Sequence, residues 1–186
     1  EKLPELLEEC HTLFYALGTD QKMDSFVTDL VKRRRSSGQR NGSYLRRIVD
    51  PGPSIESMRV IKSGKEIESV QRAIDVTAQG FDAAIRETRA GRREYHIQTA
   101  LENEFRRMGS PRNGYPSIVA SGENSCILHY IKNRRELRDG DLLLIDAGAE
   151  FDYYGADVTR TWPVDGKFTP EQRDVYDLVL QAQKTA

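Results

Sequence analysis

The stretch LLLIDAGAEFDYYGADVTRTW, residues 142–162, holds two carboxylates where none is expected. Asp146 ends the apolar run Leu142–Ile145, where an uncompensated carboxylate is costly to bury. Asp157 lies in a second strand-like segment, Gly155 to Trp162, and aspartate has poor strand propensity. An antiparallel hairpin with its loop at Glu150–Tyr153 sets 146 directly opposite 157, because 146/157 and 151/152 have the same sum. Directly opposed residues point to one face with Cβ atoms about 4.5 to 5.5 Å apart. Two charged carboxylates that close repel each other unless a cation lies between them, and a divalent metal is one resolution. The other readings are a turn or cap role for Asp146 and an ion pair between Asp157 and Arg160. Carboxylate oxygens suit hard cations such as Mn²⁺, Mg²⁺ or Ca²⁺, or a mixed site completed by histidine. Two metals about 3.5 to 4 Å apart, bridged by carboxylates, generate hydroxide and polarise a carbonyl.

Outward from this stretch, the period changes. Ser117–Ala120 and Asp141–Asp146 are short apolar runs that read as strands. Between them lies His129, in GENSCILHY, either a satisfied core histidine among apolar neighbours or a functional one. His11 and His96 have weaker claims, since His96 opens a helix where solvent exposure accounts for it. Further upstream, Ser63-Gly64-Lys65-Glu66 is a capping box. Ile67, Val70, Ile74, Ala78, Phe81 and Ile85 follow at three- and four-residue steps, predicting a long helix over 65–89 with one buried stripe. Ile97, Leu101, Phe105 and Met108 predict a second helix over 93–108, stopped by Gly109. Two helices followed by a run of strands indicate an α+β class. Downstream, Thr169-Pro170-Glu171-Gln172 starts a last helix with Val175, Leu178, Val179 and Ala182 at helical spacing. No stop signal precedes Ala186, so a piece of a longer protein is expected.

The first region reads differently. Leu13–Leu17 predicts a buried strand ended by Gly18, and Asp20 to Arg35 a helix with Met23, Phe26, Val27, Leu30 and Val31 on one face. Lys32 to Arg47 holds seven basic residues and no acidic one, as a solvated helix end and loop or, less simply, a binding patch. Asp50-Pro51-Gly52-Pro53 is turn chemistry, and the domain boundary is placed just after it, giving domains 1–57 and 58–186.

Composition narrows the class. The 186 residues carry 28 Lys+Arg against 29 Asp+Glu, which removes the electrostatic case for a nucleic-acid binder. No run approaches the roughly 18 apolar residues of a membrane span, and the acidic start EKLPELLEEC is unlike a secretory signal. A soluble, cytoplasmic protein is expected, with Cys10 and Cys126 as reduced thiols.

Three segments together resemble a known family: ESMRVIKSGKEIESVQRA, GYPSIVASGENSCILHY, and RDGDLLLIDAGAEFDYYGADVTRTWPVDGKFTPEQRDVYDLVL. They are similar to the pita-bread (creatinase-fold) metallopeptidases, and within these to the Xaa-Pro aminopeptidases. The resemblance runs from about Met58 to the end, and the segment before it is similar, less closely, to the end of the family's N-terminal domain. It implies the first half of a pita-bread domain, an antiparallel sheet with flanking helices, preceded by the end of an α/β domain. Asp146 then corresponds to a carboxylate chelating one metal, and Asp157 to one bridging two. His129 corresponds to the histidine beside the metals that holds substrate and tetrahedral intermediate, and Tyr115 is a candidate for substrate binding. One further histidine and two glutamates of the site are expected beyond Ala186. The implied activity is removal of the first residue from peptides with proline second, by a hydroxide bridging two divalent ions, with Mn²⁺ as the ion and a homo-oligomer as the assembly. An Xaa-Pro dipeptidase is the nearest alternative; a metal-free pita-bread binding protein or a creatinase-like hydrolase is another.

Overall fold

The computed structural model describes Leu7, residues 10–37 and residues 45–186, so the middle of the basic Lys32–Arg47 stretch lies outside the described residues. The chain divides into two compact units, Glu1–Lys62 and Ser63–Ala186, where the sequence reading places the boundary between 57 and 58. Among the described residues no helix is long and apolar enough to cross a membrane.

In the first unit, β1 (Thr12–Phe14) pairs in parallel with β2 (Arg47–Val49), and α1 (Gln21–Ser37) lies between them in sequence. Asp20 starts α1 by accepting hydrogen bonds from the backbone N–H groups of Lys22 and Met23 at 2.8 and 3.0 Å. Val27 and Leu30 of this helix are buried. The Leu13–Leu17 run is not the buried strand expected: β1 stops at Phe14, and both Phe14 and Leu17 are exposed. A short helix, α2 (Gly52–Val60), follows with prolines at its start.

The second unit begins with α3 (Gly64–Glu87) and α4 (Glu94–Arg107). The capping box forms as read: Glu66 N–H donates to Ser63 Oγ at 3.4 Å, and Ser63 N–H to Glu66 Oε2 at 2.6 Å. The buried stripe of α3 does not. Of the stripe's residues only Phe81 is buried; Ile67, Ile74 and Ile85 are exposed, and beside Phe81 the helix buries Ala73, Val76, Thr77, Gly80 and Ala84. Small residues win that face because α4 comes very close: a Cβ on Gly80 would stand 2.3 Å from Phe105 Cε1. Ile97, Leu101 and Phe105 pack against this face in one buried cluster.

Six strands complete the unit. β4 (Ile118–Ser121), β5 (Leu142–Ala147) and β8 (Val158–Pro163) form one antiparallel sheet. β3 (Arg112–Asn113), β6 (Ala149–Phe151) and β7 (Tyr154–Gly155) form another. Along β5 the side chains alternate: Leu143, Ile145 and Ala147 are fully buried in the core with α3 and α4, while Leu142, Leu144 and Asp146 are half-buried on the other face. Leu144 packs there with Ile118, Ala120 and Tyr130 in a smaller cluster. Thr77 ties α3 to the strands, accepting from Ala149 N–H at 2.9 Å while donating to the Ala73 carbonyl at 2.7 Å. The last helix, α5 (Pro170–Thr185), has the cap predicted for Thr169 and Gln172. Its apolar residues Val175, Leu178 and Val179 are exposed.

Candidate metal centre

The two aspartates sit on one hairpin, with a register that differs from the sequence expectation. Asp146 pairs with Thr159, not Asp157, and Ala147 pairs with Val158. The ladder resumes at Glu150↔Gly155 and Phe151↔Tyr154, so the turn is the two-residue Asp152-Tyr153, both with positive φ (51° and 68°). This is the backbone of a tight I′-type hairpin, whose twist matches that of the strands. The expected four-residue loop is one residue off centre, which moves every partner by two positions. A two-residue shift preserves the face, since side chains alternate with period two. Asp146 and Asp157 therefore remain neighbours, along a diagonal. Asp157 also lies just outside β8, in the break at 156–157, and so escapes the strand position that made it look misplaced. Gly148 makes that break possible: a Cβ on it would stand 1.7 Å from the Ala156 carbonyl oxygen.

Tyr115 joins the two carboxylates. It follows β3, whose pairs Arg112↔Glu150 and Asn113↔Ala149 bring the segment alongside the hairpin. Its hydroxyl oxygen is 2.5 Å from Asp146 Oδ1 and 3.1 Å from Asp157 Oδ1. One phenol has one proton, so it donates to a single carboxylate at a time. Loss of water around the ring, then the hydrogen bond to Asp146 and the negative charge of both carboxylates, push the Tyr115 pKa upward and keep the phenol protonated. Arg160 does not neutralise Asp157; its Nη1 donates to the Thr159 carbonyl at 2.8 Å. The arrangement offers two hard-oxygen side chains, one half-buried and one exposed, converging on one point, a donor set that fits a hard divalent cation. Among the described residues no third His, Cys, Asp or Glu completes a cluster with them.

His129 is not a core histidine. It is exposed, with φ of 53°, on the loop after a 3₁₀ turn at Gly122–Cys126. Its apolar neighbours Ile127, Leu128 and Ile131 are exposed as well, so the apolar setting that suggested burial belongs to a projecting segment. The next residue, Tyr130, is buried against Ile118, Ala120 and Leu144. Ile118 is the ladder partner of Asp146, so Tyr130 docks the loop on the carboxylate face of the sheet. His96 has a structural task at the start of α4, its Nδ1 accepting from Arg93 N–H at 3.0 Å. Sequence reasoning passed over Glu94, which is wholly buried; a glutamate in the first turn of a helix reads as a complement to the helix dipole. A concavity of about 360 Å³, ringed by Ile85, Arg89, Trp162 and Asp165, lies beyond the far end of β8 from Asp157 and has none of these groups in its wall.

Comparison with known proteins fits this arrangement. The chain is 40% identical over 186 residues to Xaa-Pro aminopeptidase of Escherichia coli, spanning all of this chain and 42% of that protein. Xaa-Pro aminopeptidase of Haemophilus influenzae is 51% identical over 139 residues, 75% of this chain and 32% of that one. Among solved structures, zinc-substituted E. coli aminopeptidase P in complex with product superimposes with a TM-score of 0.91 at 40% identity, over 99% of this chain and 42% of that one. Pseudomonas aeruginosa aminopeptidase PepP gives 0.90 at 40% identity, over 97% of this chain and 41% of that one. The chain thus spans less than half the length of these relatives, and its fold is part of their pita-bread fold. The description "metallopeptidase family M24" matches residues 68–186, and the chain belongs to that family.

Proposed function

We propose that this chain supplies one wall of the active site of a metal-dependent aminopeptidase that removes the first residue from peptides with proline second. The observation that carries the reading is the convergence of Asp146 and Asp157 on the Tyr115 hydroxyl, at 2.5 and 3.1 Å. In this reading Asp146 and Asp157 would hold the divalent ions, Asp146 one of them and Asp157 both. When bound, the ions supply a water-derived nucleophile at neutral pH and polarise the scissile carbonyl. Tyr115 orients Asp146 through its hydroxyl and lines the substrate side of the pair. His129 meets the substrate from the exposed loop and hydrogen-bonds the carbonyl oxygen as negative charge develops there. In the same reading further ligands from outside this chain would complete the set, since these two carboxylates form no larger His, Cys, Asp or Glu cluster among the described residues. Mn²⁺ as the ion, a homo-oligomer and a cytoplasmic location belong to the same proposal, and the names of the relatives support proline at the second position.

The test is Asp157→Asn in a chain of the relatives' full length. An amide of the same shape removes the charge shared between two ions, and kcat should fall about 10³-fold or more with the melting temperature unchanged. A variant that keeps wild-type turnover overturns the assignment. Peptide-length profiling of the parent protein separates the dipeptidase alternative: cleavage confined to Xaa-Pro dipeptides would replace the aminopeptidase reading.

A further inference from the structure

We infer that Glu94 is a positioning residue for His129: one buried carboxylate closes the neck of the loop that presents the histidine. The inference rests on the reading of His129 given above.

Glu94, the first residue of α4, is 0% exposed. A buried carboxylate needs donors at both oxygens, and this one has five. Oε1 accepts from Ser121 N–H at 2.8 Å, Ser121 Oγ at 2.8 Å and Asn124 Nδ2 at 3.1 Å. Oε2 accepts from the Tyr130 hydroxyl at 2.7 Å and Arg135 N–H at 2.9 Å. The Arg135 guanidinium is turned elsewhere, to Asp141 at 2.5 Å and Ser121 Oγ at 3.2 Å.

The order of these partners along the chain gives the arrangement its meaning. Ser121 and Asn124 precede the exposed segment Ile127–His129, and Tyr130 and Arg135 follow it. Oε1 holds the incoming side and Oε2 the outgoing side. Between them Ile127 and Leu128 are exposed, and His129 adopts the left-handed backbone that non-glycine residues avoid. Nothing buried in the segment itself fixes this shape. The neck does, and Tyr130 transmits it to His129 across a single peptide bond.

The chemistry also specifies a carboxylate. The Ser121 and Tyr130 hydroxyls can rotate and exchange donor for acceptor roles, whereas the backbone N–H groups of Ser121 and Arg135 cannot. Each faces a different oxygen of Glu94. Either orientation of a glutamine amide would place its NH₂ against one of them, so Glu94→Gln must displace one side of the neck while leaving the residue's volume almost unchanged.

A double-mutant cycle in the full-length, metal-loaded enzyme tests this. Glu94→Gln should lower kcat about 10-fold, with KM changed less than about 3-fold and metal content unchanged. His129→Ala should also lower kcat with metal content near normal, and the double variant should be no slower than His129→Ala alone. An equal cost of Glu94→Gln in both backgrounds would overturn the positioning role and leave Glu94 a structural residue. A His129→Ala enzyme as fast as the parent would instead overturn the reading of His129. If Glu94→Gln fails to fold, Tyr130→Phe enters the same cycle, since it deletes only the hydroxyl arm. It should cost about 3-fold in kcat in the parent and nothing in the His129→Ala background.

Discussion

The carboxylate hairpin and the His129 loop reach one face of the sheet by opposite means. In the hairpin, main-chain pairing sets geometry: the Asp152-Tyr153 turn fixes the register, and the register places Asp146 and Asp157 while Arg160 is turned to the Thr159 carbonyl. In the loop, side chains set geometry: Glu94, Asn124, Tyr130 and Asn133 hold a segment that has no ladder of its own. A ladder tolerates many side chains but no added backbone bulk at its breaks. A polar neck tolerates little change in its buried groups and leaves the exposed tip free to vary.

Three substitutions sharpen this contrast. The largest effect is expected from Gly148→Ala, because the new Cβ meets the Ala156 backbone oxygen and not the yielding end of a side chain. The cost should be about 3 kcal/mol, seen as a fall in melting temperature of roughly 10 °C. An unchanged melting temperature would mean that the hairpin break does not constrain the strands. The loop counterpart is Asn133→Ala. Asn133 is 2% exposed, accepts from Val119 N–H at 3.0 Å, and donates to Gln98 Oε1 and the Ser117 carbonyl, each at 2.9 Å. Its removal should cost about 2 kcal/mol and accelerate hydrogen exchange at the Val119 amide; slow exchange there would show that the amide has another partner. The smallest effect is electrostatic. Arg112 holds the half-buried Glu150 carboxyl below its ordinary pKa of 4.5, chiefly through their hydrogen bond. A depressed carboxylate pKa stabilises fully above the unfolded value and is lost as pH falls through the folded one. The melting difference between the parent and Glu150→Gln should therefore be small at neutral pH and shrink as pH falls below the ordinary carboxylate range. A difference that grows on acidification has the wrong sign.

What the sequence revealed follows from how local each signal is. The caps of α3 and α5 depend on residues three apart, Ser63 with Glu66 and Thr169 with Gln172, and both form as written. The hairpin and its shared carboxylate face were legible because period two survives an error of two in the partner. The turn itself was not: neither Asp152 nor Tyr153 is glycine, and positive φ at both leaves no strong mark in the sequence. The buried face of α3 was misread for a tertiary reason. Hydrophobicity ranks Ile67, Ile74 and Ile85 above Ala73, Gly80 and Ala84, yet the approach of Phe105 selects for smallness. The position of Tyr115 depends on the β3–β6 pairing, and the burial of Glu94 on donors 27 to 41 residues away. Neither is written in a window short enough to read.

Cys126 gives the molecule an address for covalent chemistry. It is the sole cysteine of residues 63–186, exposed at the end of the 3₁₀ turn and three positions before His129. A fluorophore or spin label joined through that thiol would ride on the projecting tip while the ladder bearing the aspartates stays unmarked. With Cys10 replaced, motion of the tip could then be followed by spectroscopy against a silent background.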